Sequence, residues 1–79
     1  MTTKMKKEQY FRQMDMMKQS FIKCNSKDVL YPYYVGRIEG MTYMAIEDGE
    51  IVHDYLEIVH YADEVKKEMK GAYYESKSI

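Results

Sequence analysis

Apolar side chains recur at helical spacing along three segments of the chain. Tyr10, Met14, Met17, Phe21 and Cys24 step by four and three residues, so they share one face of a helix, which Phe11 and Ile22 widen. Tyr34, Ile38, Met41 and Ala45 repeat the pattern, with Val35, Thr42 and Ile46 beside them. Ile51, Tyr55, Ile58, Ala62, Val65 and Met69 give a third stripe, broadened by Val52, Leu56 and Val59. The pattern predicts an all-α fold: a small three-helix bundle with helices near 4–24, 32–48 and 51–70. Its predicted core is Tyr10, Met14, Met17, Phe21, Ile38, Met41, Ala45, Tyr55, Ile58, Ala62 and Val65.

The breaks between segments carry turn chemistry. Asn25-Ser26-Lys27-Asp28 is polar and ends the first helix. Pro32 suits the first turn of the second, where its missing N–H costs nothing. Gly49 supplies a left-handed residue for a helix–Gly turn–helix hairpin, and Gly71 closes the third helix the same way. Residues 1–79 therefore read as one domain with loose ends at 1–4 and 72–79. The alternative is a β-hairpin about Asp48-Gly49, from Met41–Ile46 to Ile51–Tyr55. Against it, Met41–Ile46 is apolar or nearly so throughout, where a half-buried strand alternates.

Composition adds the question of what the apolar residues do. Eight Met and nine Tyr stand against two Leu, two Phe and no Trp. Both types suit adaptable surfaces as well as cores. Seventy-nine residues bury only roughly 60% of their unfolded surface, so stability is marginal and a further contact has stability to add. Gly36 and Gly40 lie opposite the Tyr34–Ile38–Met41 stripe, on the side of Tyr33 and Tyr43. Two glycines inside a helix cost ~1 kcal/mol each relative to Ala, and close approach of another backbone is the usual compensation. That neighbour is either the rest of the bundle or a second chain, and Gly36 and Gly40 are the expected self-association residues of a homodimer.

Charge separates along the chain. Residues 1–27 hold seven basic and two acidic side chains, residues 28–64 one and nine, and the total is −1. Glu47, Asp48, Glu50, Asp54 and Glu57 crowd carboxylates around the second turn. Either they pair with the basic first helix or they face a basic protein partner. On the second reading the partner-binding residues are Tyr33, Glu39, Tyr43, Glu47, Asp48, Glu50, Asp54 and Glu57. The alternative function is nucleic-acid binding through Lys4, Lys6, Lys7, Arg12 and Lys18, though that helix has no run of Arg, Asn or Gln to read base edges.

Catalytic parts are sparse. His53, Glu57, His60 and Glu64 share one helical face, and Glu57-x-x-His60 has the di-iron carboxylate spacing. No second such motif accompanies it, and the face is expected to meet water rather than hold a metal. Cys24 as a nucleophile with His53 or His60 lacks a third orienting group, and reads as a small buried hydrophobe. The expectation is no enzyme, no cofactor and no metal. No apolar run nears the ~20 residues of a membrane span. With no export signal and a lone cysteine, the cytoplasm is the expected location.

The stretch Tyr33-Tyr34-Val35-Gly36-Arg37-Ile38-Glu39-Gly40-Met41-Thr42-Tyr43-Met44-Ala45-Ile46, followed by Glu47-Asp48-Gly49-Glu50-Ile51, resembles short helical proteins of phages and other mobile elements. In those proteins a helix bearing tyrosine and glycine turns through a glycine into an acidic helix. The resemblance covers about a third of the chain and brings no catalytic residue. It implies a non-enzymatic accessory protein that binds and modulates host machinery, as anti-CRISPR inhibitors do.

Overall fold

The computed structural model describes residues 7–47 and 54–77. Three helices form the bundle: α1 (Lys7–Lys23), α2 (Lys27–Glu47) and α3 (Tyr55–Lys77). All three pack against one another. Met41–Ile46 lies inside α2, which removes the β-hairpin. Gly49 and the turn around it lie outside the described residues, as do Lys4 and Lys6.

The core follows the stripes. Tyr10, Met14, Met17 and Phe21 come from α1, Ile38, Met41 and Ala45 from α2, and Ile58, Ala62, Val65 and Met69 from α3. Among the described residues no polar or charged side chain is buried in it. Tyr55 differs from expectation. It stands in the first turn of α3 and is half-buried, while Met69, four residues beyond Val65, takes the last place in the core.

Two boundaries also differ, and both change the surface. α2 begins at Lys27, not 32. Ser26 accepts the first helical bond, from the Leu30 N–H to its carbonyl at 3.0 Å, and Asp28 suits the positive end of the dipole. Lys27 donates to the Cys24 carbonyl at 2.8 Å and caps α1. Pro32 is therefore the sixth residue of α2, inside the helix rather than in its first turn.

α3 runs through Gly71 to Lys77, so neither the glycine stop nor a loose segment over 72–77 holds. Among the described residues no glycine has positive φ. The extension is tied to the start of α2. Tyr73 stacks on Tyr31, with ring centroids 4.6 Å apart and planes 3° from parallel. Lys77 lies 4.5 Å from the Tyr73 ring centroid and 3.1 Å from the Asp28 carboxylate. Lys77, with the Tyr73 hydroxyl beside it, holds the Asp28 carboxyl below its usual range.

Candidate functional site

The predicted contact residues divide into a strip and a flank. Tyr33, Gly36, Gly40 and Tyr43 form the strip on the outer face of α2, opposite buried Ile38. Tyr33 is 53% exposed and Tyr43 67%. Val29, Pro32 and Met44 share this face at helical spacing, and none was read from sequence as a contact residue. The signal was present: Val29, Tyr33, Gly36, Gly40, Tyr43 and Glu47 step by four, three, four, three and four. From Val29 to Met44 the strip holds no charged residue; Arg37 borders one edge and Glu39 the other. Arg37 is held against Tyr33, its guanidinium 5.6 Å from the ring centroid and its Nη1 donating to the hydroxyl at 3.3 Å.

The glycines are not packed between helices. A methyl group at Gly36 or Gly40 would meet nothing within 4 Å, so the bundle's own backbone does not explain them. This corrects burial between α1 and α3 as their reason. Gly36→Ala and Gly40→Ala are each expected to stabilise the isolated chain by about 1 kcal/mol, because Ala restores helix propensity where space is open. Urea titration checks this, and a loss of stability in dilute protein contradicts open space at these sites.

The flank is largely engaged within the chain. Lys7 of α1 lies 2.9 Å from Glu57 and 3.8 Å from Asp54. The hydrogen bond to Glu57, then the charge of Asp54, hold the Lys7 amine above its ordinary range. Glu39 lies 3.7 Å from Lys66, which also meets Asp63 at 3.5 Å. Glu47 is exposed at the end of α2. Asp48, Glu50 and His53 lie outside the described residues. The basic helix is engaged in the same way. Lys18 donates to Glu68 at 2.6 Å and lies 3.7 Å from Asp15. Lys7 and Lys18 thus face α3 rather than a phosphate backbone, while Arg12 is exposed.

A second apolar surface lies across α1 and α3. Phe11 and Tyr61 pack at 4.3 Å, and an open groove of about 430 Å³ runs beside them, lined also by Leu56, His60 and Glu64. Met16 extends the apolar area along α1, but Glu8, Arg12 and Asp15 interrupt it. The Tyr61 hydroxyl donates to Asp15 Oδ1 at 2.6 Å. That bond, followed by burial, pushes the phenol up to about 12. The folded chain keeps this proton where an unfolded tyrosine, near 10, loses it. The contribution is complete below pH ~10 and is lost as pH rises from about 10 to about 12. Tyr61→Phe is expected to flatten the fall of Tm over that window, and an unchanged alkaline limb contradicts the assignment.

Cys24 and His60, the described members of the catalytic candidates, stay apart. Cys24 is half-buried against the core, beside Ser76 and Lys77. His60 sits sixteen residues back along α3, about 24 Å at 1.5 Å per residue. Among the described residues no three His, Cys, Asp or Glu side chains are grouped to hold a metal ion. Within the same residues no helix is long and apolar enough to cross a membrane. Comparison of the chain with protein-family models, with curated proteins and with solved structures returns no match.

Proposed function

We propose that the protein is a non-enzymatic protein-binding module that works through the outer face of α2. One observation carries this reading: a surface helix is apolar on both sides. Its inner face fills the core, and its outer face carries Val29, Pro32, Tyr33, Tyr43 and Met44 to solvent. An ordinary surface helix has a polar outer face. Tyrosine and methionine at such a strip are the residue types that anchor interfaces. The groove of α1 and α3 is the weaker rival, because charged residues border it closely.

Two occupants fit the face. One is a second copy, with Gly36 and Gly40 allowing close approach. The other is a host protein with a basic surface, which would meet the tyrosines together with Glu39, Glu47, Asp48 and Glu50, whereas Asp54 and Glu57 pair with Lys7 of α1. The resemblance to mobile-element proteins favours a cytoplasmic modulator or inhibitor of host machinery as the wider role. Nucleic-acid binding is less favoured, because Lys7 and Lys18 already pair with acids of α3.

A photoreactive phenylalanine analogue at Tyr33 or Tyr43 tests the reading in cell extract. Covalent adducts are expected from both positions and not from Lys67, which is exposed on α3. Equal yields from all three positions would count against α2. A salt-sensitive shift of duplex DNA would favour the nucleic-acid reading instead.

A further inference from the structure

The outer strip of α2 has an edge pattern that fits a second copy of itself in one orientation. At 100° per residue, Gly36 and Gly40 lie about 20° either side of the direction opposite Ile38. Tyr33, Arg37 and Met44 fall to one side of that line, and Pro32, Glu39 and Tyr43 to the other. All eight are exposed. A two-fold axis running along the helices brings unlike edges together. Arg37 then meets Glu39 of the other copy, at nearly the same height. Tyr33 meets Pro32 of the other copy, and the Met44 thioether meets the Tyr43 ring. Each contact occurs twice. The antiparallel arrangement joins like edges and sets Arg37 against Arg37 and Glu39 against Glu39.

We propose that the protein forms a parallel two-fold dimer through α2, with the helices crossing at Gly36 and Gly40. The proposal rests on reading the outer face of α2 as the binding surface, and it names the occupant. The glycines let the two backbones approach while the larger side chains close the seam at either end. A contact through one helix face is small against the roughly 1,200 Å² of total buried surface at the lower end for specific, stable interfaces, so the dimer dissociates on dilution. Both α2 C-termini then point the same way. The two Glu47 carboxylates therefore stand at one end of the dimer, where a basic partner would meet them together.

Sedimentation equilibrium tests the contact. Arg37→Glu alone and Glu39→Arg alone each place like charges across both edges, and each is expected to weaken the dimer at least about tenfold. The chain carrying both changes restores the pairs and is expected to return to within about threefold of the parent. Gly40→Leu is expected to weaken association by a similar factor without lowering Tm, because Leu is a good helix former in open space. A spin label at Val29→Cys, in a Cys24→Ser chain, reads the orientation. The parallel dimer gives an inter-label distance below about 20 Å; the antiparallel one gives about 27 Å or more. A monomer at every concentration overturns the dimer and leaves the α2 reading to the adduct test. A dimer indifferent to these substitutions, or the longer distance, overturns the arrangement.

Discussion

Phe21→Ala is expected to cost about 3–5 kcal/mol. Phe21 is fully buried at the point where α1 meets α2. Tyr31 and Tyr34 stand 5.7 and 6.3 Å from its ring centroid, and the Lys27 ammonium lies 5.9 Å away. Alanine leaves a void lined by two large rings that cannot collapse into it without breaking the Tyr31–Tyr73 stack. A bundle of this size sits near the low end of the usual 5–15 kcal/mol, so most of the cooperative transition is expected to vanish by 37 °C. Thermal melts followed at 222 nm check this. Ile22→Ala, one residue away but exposed, is expected to change stability by less than about 1 kcal/mol. Equal losses at the two positions would contradict the burial pattern.

Pro32→Ala is expected to stabilise the chain by about 2 kcal/mol. Pro32 is the sixth residue of α2, so the Asp28 carbonyl lacks its helical donor and the ring crowds that turn. Such an interior proline costs ~3 kcal/mol, and removing it also frees the unfolded chain, which offsets up to about 1 kcal/mol. Pro32 is exposed, so no packing is lost within the chain. The expected rise in Tm is about 8–16 °C, measured in dilute protein to keep association out of the result. The sequence reading, with Pro32 in the first turn, predicts a small change or a loss, so the sign decides where α2 begins.

The three helices and ten of the eleven core positions were legible because apolar spacing survives every local ambiguity: Met14 and Ile38 are as plainly inward from the sequence as in the bundle. The helix ends were not. Pro32 was read as the first turn of α2 and Ser26 only as part of the break, yet Ser26 starts the helix, because tertiary support from Tyr73 on Tyr31 extends it past a proline. Gly71 suggested a stop, but a glycine stops a helix only where the backbone turns left-handed, and the same stack holds α3 helical to Lys77. The strip was half legible. The shared side of Tyr33, Tyr43, Gly36 and Gly40 followed from the helical period, whereas its openness depended on what packs elsewhere. The carboxylate flank was read with two outcomes, and Lys7 between Asp54 and Glu57 favours internal pairing for those two.

Two methionines measure the central claim that the outer face of α2 is the working surface. Met44 on that face is 54% exposed and Met16 on α1 is 57% exposed. In dilute, isolated protein, hydroxyl-radical oxidation is expected to modify them at closely similar rates. When the chain is concentrated, or bound to the protein it cross-links, Met44 is expected to slow at least about fivefold while Met16 stays unchanged. Protection of Met16 with Met44 unaffected would contradict the account and move the working surface to the groove between α1 and α3.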